Sequence, residues 1–285
     1  MRVMLINIDS KLPNLALKRI EAYHKNRGDE VVWDYPLLAS QVDKIYVSCI
    51  FSWNKHKVVD WEIYDNAIIG GSGYDLKKTL PEEIEKTPLK INYGFTTRGC
   101  IRKCQFCIVP EKEGKIRAVA DIYDIWDGKN KEIILLDNNI LALPEHFKLI
   151  CEQLQKENLK VDFNQGLDHR LLTEEIMAIL NKTKTGELRF AYDNPKEQKT
   201  VERAIALLNG KRAFWYVLCG FNTTFEEDLE RIEWLYSMKQ NPYVMRYESI
   251  KKDKKYISLA RWVNNPLWHG GLSWQDFIKT NKLMF

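Results

Sequence analysis

Along the chain, short apolar runs bounded by turn residues alternate with stretches whose apolar positions recur every three to four residues. In the first 90 residues the runs Val3–Ile8, Glu30–Trp33, Lys44–Ile50 and Ala67–Ile69 read as strands, and Leu15–Lys25 as an amphipathic helix between the first two. The last run leads into Gly70-Gly71-Ser72-Gly73, a sharp turn that lets backbone approach closely. Residues 76–90, rich in Lys, Glu and Pro, read as a linker. Beyond it the alternation becomes regular. Strands are expected at Ile91–Thr96, Glu132–Leu136, Leu159–Asn164, Leu188–Tyr192, Phe214–Cys219 and Tyr243–Tyr247. Helices are expected at Val119–Trp126, Pro144–Lys156, Thr173–Asn181, Pro195–Leu208 and Thr224–Lys239. Thr224 and Glu227 can close a capping box, and Asn209-Gly210 is a helix stop.

This order predicts an α/β protein in three parts. A small three-layer, Rossmann-like unit spans 1–90, six strand–helix units forming a partial (β/α)6 barrel span 91–250, and an extension follows at 251–285. In parallel α/β barrels the chemistry sits at the C-terminal ends of the strands. No internal repeat or low-complexity segment interrupts the pattern.

Composition changes this picture little. Hydrophobic residues make up 45% and charged residues 29% of the 285, as in an ordinary globular protein. No apolar run reaches the ~18 residues of a membrane span, and the start of the chain reads as a first strand rather than a leader, so a cytoplasmic protein without a membrane partner is expected. Charge is more informative. The net charge is +4, yet residues 250–285 carry seven Lys/Arg against two acids, which leaves the preceding part slightly acidic.

The chemistry concentrates in Arg98–Pro110, RGCIRKCQFCIVP, where three of the six cysteines stand as C-x3-C-x2-C directly after the first expected barrel strand. A disulfide would leave an odd thiol and is not expected in a reducing compartment. Cys49, Cys151 and Cys219 are isolated in apolar patterns. Cys100, Cys104 and Cys107 can ligate one compact centre, and three thiolates on a four-iron cluster leave one iron open. A zinc knuckle or three incidental thiols is the alternative reading.

The run Cys100-Ile-Arg-Lys-Cys104-Gln-Phe106-Cys107 resembles the C-x3-C-x-aromatic-C signature of the radical S-adenosylmethionine (radical SAM) enzymes, over residues ~91–250. The resemblance implies a [4Fe–4S] cluster on the three thiolates, SAM chelated to its open iron, and reductive cleavage to a 5′-deoxyadenosyl radical that abstracts a substrate hydrogen. It further implies a reducing partner such as flavodoxin or ferredoxin. In the family a Gly-Gly-Glu-like segment at the second strand end holds the SAM amino group; here Asp137-Asn138-Asn139 replaces it. At the third strand end Gln165 and Asp168 would face the ribose or the substrate. At the fourth, Asp193 would bond the ribose and Arg189 could meet a carboxylate. At the fifth, Val217 and Gly220 would meet the adenine edge, with Phe106 packed on it, and Cys219 is either a hydrogen-atom donor or a buried apolar residue.

The first 90 residues resemble a shortened cobalamin-binding domain with the cobalt-ligand motif absent: the first loop reads Asp9-Ser-Lys-Leu-Pro-Asn14, without His. Cobalamin would bind only without a protein ligand. Methylthiotransferases place three cysteines in this region for a second cluster, whereas this chain has only Cys49. The tail mixes Lys251, Lys252, Lys254, Lys255 and Arg261 with Trp262, Trp268, His269 and Trp274. It reads either as a basic turn and aromatic helix covering an open barrel side, or as a nucleic-acid surface. The substrate, small or macromolecular, is not specified. Two further functions stay open: a cobalamin-dependent radical SAM methyltransferase and a non-catalytic metal-binding module that recognises nucleic acid.

Overall fold

The computed structural model describes residues 1–265 and 271–282. It is a mixed α/β protein whose main sheets are parallel. The first sheet contains β1 (Arg2–Asn7), β2 (Glu30–Trp33), β3 (Lys44–Ser48) and β4 (Ala67–Gly70), in the order β2-β1-β3-β4. In β1 Val3, Met4, Leu5 and Ile6 are all buried, because this central strand is covered on both faces. Val3 and Leu5 pack with Leu17 and Ile20 of α1 (Leu15–Asn26), while Met4 and Ile6 pack on the opposite side with Val58 and Trp61. Asn14 starts α1 by accepting from the Leu17 N–H, and its amide donates to Ser48 Oγ at 2.8 Å. The turn after β4 needs its glycines: Gly71 has φ +98°, and a Cβ there would stand 2.3 Å from the Cys49 carbonyl oxygen.

A 3-10 turn at Ser52–Val58 and the short helix α2 (Val59–Glu62) precede β4. Within residues 76–90 lies α3 (Glu82–Glu85), whose buried Ile84 joins the α1 side of the first sheet.

The second region begins with β5 (Tyr93–Gly94), shorter than its apolar run because Asn92 adopts φ +60° and exchanges side-chain bonds with Asp127. The two-residue strands β6 (Thr97–Arg98) and β7 (Arg117–Ala118) pair antiparallel and clasp the cysteine loop, which carries α4 (Val109–Lys112). The helix expected at Val119–Trp126 is only α5 (Ile122–Ile125), since Asp121 caps it late with Asp124.

Next come β8 (Glu132–Leu135), α6 (Pro144–Lys156), β9 (Lys160–Phe163), α7 (Glu174–Lys182), β10 (Lys184–Thr185) and β11 (Arg189–Ala191). Then follow α8 (Gln198–Leu207), β12 (Phe214–Cys219), α9 (Phe225–Ser237) and β13 (Asn241–Arg246). A 3-10 turn replaces the start of the expected helix at Pro195. The capping box of Thr224 and Glu227 is formed.

Two parallel sheets result, β10-β9-β8-β5 and β11-β12-β13. The single segment 184–191 serves both: the Gly186 N–H donates to Val161 O, and Arg189 O accepts from Leu167 N–H. Phe147, Phe190 and Trp215 are among the largest side chains of the core between these sheets and their helices.

Basic residues of the tail sit on and just before α10 (Lys254–Asn264), which packs on β13. The Asn264 amide bonds the N–H and carbonyl of Val244, occupying the free edge of that strand. Helix α11 (Trp274–Thr280) completes the cover. Trp262 and Trp274 are buried against each other and Phe225, so these two rings are not available as base-stacking faces; Trp268 and His269 lie outside the described residues. Among the described residues no helix is long and apolar enough to cross a membrane.

Candidate functional site

The cysteine loop runs from Gly99 to Ile116 between the paired ends β6 and β7. Gly99 makes the bend into it with φ +84°, and a Cβ there would fall 2.4 Å from Lys115 O. Gly99→Ala is therefore expected to cost more than about 2 kcal/mol and to lower iron uptake in parallel. Urea unfolding and iron analysis of the reconstituted variant check this.

Cys100, Cys104 and Cys107 are all reduced and partly exposed. Burial raises the pKa of the Cys104 and Cys107 thiols, Arg170 opposes this at Cys104, and the neighbouring cysteines raise both further. Two N–H donors reach the Cys100 sulfur, Arg102 N at 3.3 Å and Asn139 Nδ2 at 3.5 Å. Among the described residues no three His, Cys, Asp or Glu side chains converge on one metal ion. Ligands of a four-iron cluster bind separate irons and need not converge on one point.

Four strand ends meet this loop. After β8, Asp137 is buried and one of its carboxylate oxygens accepts from the N–H and hydroxyl groups of Thr96 and Thr97. Its other oxygen is buried with no partner among the described residues, and burial raises the pKa of the carboxyl. Asn138 donates to Glu113 at 2.7 Å, and Glu113 also holds Arg98 and the Gly99 N–H. Asn139 Oδ1 is a second buried acceptor with no partner among the described residues.

After β9, Asp168 joins the site through Arg102 (2.9 Å), Arg170 (2.6 Å) and Asn139 (3.1 Å), and the two guanidinium groups hold its pKa low against burial. Gln165 is exposed and makes a long hydrogen bond to Asn164. After β11, Asp193 accepts from the Leu218 N–H at 3.3 Å, and burial pushes its carboxyl up to about 6.

After β12, Gly220 has φ +74° and donates to Asp228. Phe106 makes an edge contact with Phe221 at 5.4 Å, and Phe221 with Tyr247 at 4.8 Å. The Val217 side chain is fully buried in the core, leaving its backbone for any contact. Cys219 is fully buried and burial raises its pKa strongly. Arg189 pairs with Asp162 of β9.

Arg102 and Glu113 organise the site as much as the cysteines do, and the sequence marks them only by their closeness to the cysteine motif.

His169 is buried on Trp215 and, through burial and the neighbouring Arg170, titrates at about 4. Its folded value is depressed from 6.5, so the unfolded chain binds more protons between pH 6.5 and 4, and stability falls by up to about 3 kcal/mol as pH drops through that window. Asp193 acts oppositely: its raised value adds stability as pH falls through 6 toward 3.8. On the metal-free chain, Asp193→Asn is expected to steepen the loss between pH 6 and 4. Denaturant titrations at several pH values measure it, and an unchanged slope would contradict it.

No family model matches the chain. It is 32% identical over 114 residues to the tRNA-2-methylthio-N(6)-dimethylallyladenosine synthase of Flavobacterium johnsoniae, covering 35% of this chain and 21% of that protein. To the enzyme of the same name from Flavobacterium psychrophilum it is 26% identical over 188 residues, 53% of this chain and 37% of the other. The chain thus spans well under half the length of the curated relatives it matches.

Proposed function

We propose that the chain is a radical SAM enzyme in which Cys100, Cys104 and Cys107 hold a [4Fe–4S] cluster. The supporting observation is the convergence of four strand ends on one cysteine loop, with Asn139 on the Cys100 sulfur and Asp168 on Arg102. Similarity to synthases of a radical SAM family points the same way. On this reading residues 91–250 are a partial (β/α)6 barrel, 1–90 a Rossmann-like domain, and 251–285 an extension over the last strand.

Three thiols fit the cluster as a donor set, and the buried, unpartnered oxygens of Asp137 and Asn139 fit the ammonium of SAM, which can only donate. When bound, the reduced cluster supplies the electron that splits a carbon–sulfur bond of SAM. The chain's own groups orient and exclude water. Arg102 and Asn139 N–H groups stabilise the Cys100 thiolate. Asp193 and Gln165 take ribose or substrate hydroxyls, Val217 and Gly220 offer backbone to the adenine edge, and Phe106 closes over it. A flavodoxin or ferredoxin is the expected reductant.

The relatives' names specify an adenosine of tRNA. A nucleic-acid substrate here is supported by the exposed, stacked pair Phe51 and Trp53, with Lys251 over the Trp53 ring. Sulfur insertion on a second cluster is not part of the reading, because the first 90 residues offer only Cys49, buried beside Asp9. The cobalamin reading gains no support. The Asp9 carboxylate is already taken by the N–H groups of Ile50 and Phe51.

Anaerobic reconstitution tests the proposal. Iron of about four per chain and release of 5′-deoxyadenosine from SAM under reduction are expected; stoichiometric zinc without SAM cleavage would refute it.

A further inference from the structure

A cavity of about 990 Å3 lies between the first sheet and the cysteine loop. It is built by both regions of the chain. Helix α1 and the end of β4 form one wall, residues 76–90 form a second, and β5, Arg98 and α4 form the third. Its volume is that of a small-molecule site, and it adjoins the strand-end site described above at Arg98 and Glu113. Ile68 on β4 faces it and stays 40% exposed.

The lining is basic. Arg19, Lys78, Lys90, Arg98, Lys112 and Arg117 contribute, against Glu83, Glu85, Glu113 and Asp124. Arg19 is taken by Glu85 and Arg98 by Glu113. Lys78, Lys90 and Lys112 have no ion-pair partner among the described residues. Lys112 is the notable one, because it is half-buried at the end of α4 and burial lowers its pKa. Glu113 and Asp75 act on it only from a distance, and a closer anion would offset the cost of holding the ammonium away from water. Lys78 lies across the glycine turn, its Cδ 3.9 Å from where a Gly70 Cβ would be. Aromatic surface is present too, from Tyr23 and from Phe95, whose ring carries the Arg98 guanidinium at 3.8 Å.

We infer that this cavity binds a phosphorylated small molecule of about nucleotide size, with Lys112 and Lys78 taking the phosphate and the aromatic wall taking an organic ring. The three cysteines do not line this cavity, so anion binding there does not require a loaded centre. The cavity shares Arg98 with the Glu113 carboxylate that holds Asn138 and Gly99, so an anion there competes for that guanidinium.

Calorimetric titration of the full chain tests this, with S-adenosylhomocysteine at saturation so that any adenosyl site is filled. The probes are AMP, adenosine and inorganic pyrophosphate. AMP and pyrophosphate are expected to bind saturably and AMP at least about tenfold more tightly than adenosine. Lys112→Gln and Lys78→Gln are each expected to weaken AMP by about tenfold. Lys78 is exposed, so its substitution reports binding without a change of core. Equal affinity for AMP and adenosine, no saturable binding of either phosphate probe at millimolar concentration, or unchanged AMP affinity in both variants would overturn the assignment.

Discussion

Cys104→Ala is expected to lower iron from about four per chain to less than one after reconstitution, and to suppress 5′-deoxyadenosine release by at least about 100-fold. Cys104 lies in the middle of the loop, and its backbone carbonyl accepts from the Cys107 N–H. Its side chain makes no hydrogen bond among the described residues, so its removal takes away a ligand and little packing. Cys151→Ala is the matched control. That thiol is fully buried in α6 among core residues, and its loss should cost about 1–2 kcal/mol while leaving iron and SAM cleavage unchanged. Far-ultraviolet circular dichroism of both variants separates ligand loss from unfolding. Full SAM cleavage by the Cys104 variant would refute the assignment of the loop.

The largest expected effect on stability lies behind the fifth strand end. Asp228 is fully buried on α9 and accepts from the Gly220 N–H at 2.8 Å, the Tyr256 hydroxyl at 3.0 Å and Arg231. Arg231, also buried, donates in turn to the carbonyls of Tyr192 and Leu218. One carboxylate thus joins α9, the glycine turn after β12 and helix α10. Asp228→Ala leaves the guanidinium buried without a counter-charge and is expected to cost about 3–5 kcal/mol. Replacing both partners by apolar residues, Asp228→Leu with Arg231→Met, should recover much of that loss, because no uncompensated charge then remains. Urea unfolding of the two variants measures the difference. A cost below about 1 kcal/mol for Asp228→Ala would show that water reaches Arg231.

The parts of this molecule that could be read from sequence are those where one local rule acts alone. Strand β12 is covered on one face and alternates buried with partly exposed residues from Phe214 to Cys219, and its limits follow from that pattern. The Thr224 box, the Pro144 start of α6 and the cysteine spacing are likewise local. What was not legible depends on partners distant in the chain. Tyr93–Gly94 ends early because Asp137, some 40 residues on, takes the N–H groups of Thr96 and Thr97. The β6–β7 clasp is two residues long, too short for periodicity to register. Trp262 and Trp274 carry the same letters whether they stack on bases or on each other; only the packing against Phe225 decides. In the site, the sequence marks Asp137 and Asn139 only by their place at a strand end. The partnerless oxygens that make them informative belong to the three-dimensional structure.

Strand β13 is the last of its sheet, and its outward backbone could zip onto the strand of another molecule. The Asn264 carboxamide offers an N–H donor and a carbonyl acceptor side by side, as a peptide group does, and it meets both groups of Val244. A single side chain therefore serves as a one-residue mock neighbour at that rim, discouraging aggregation between copies without the chain having to close its sheet into a ring.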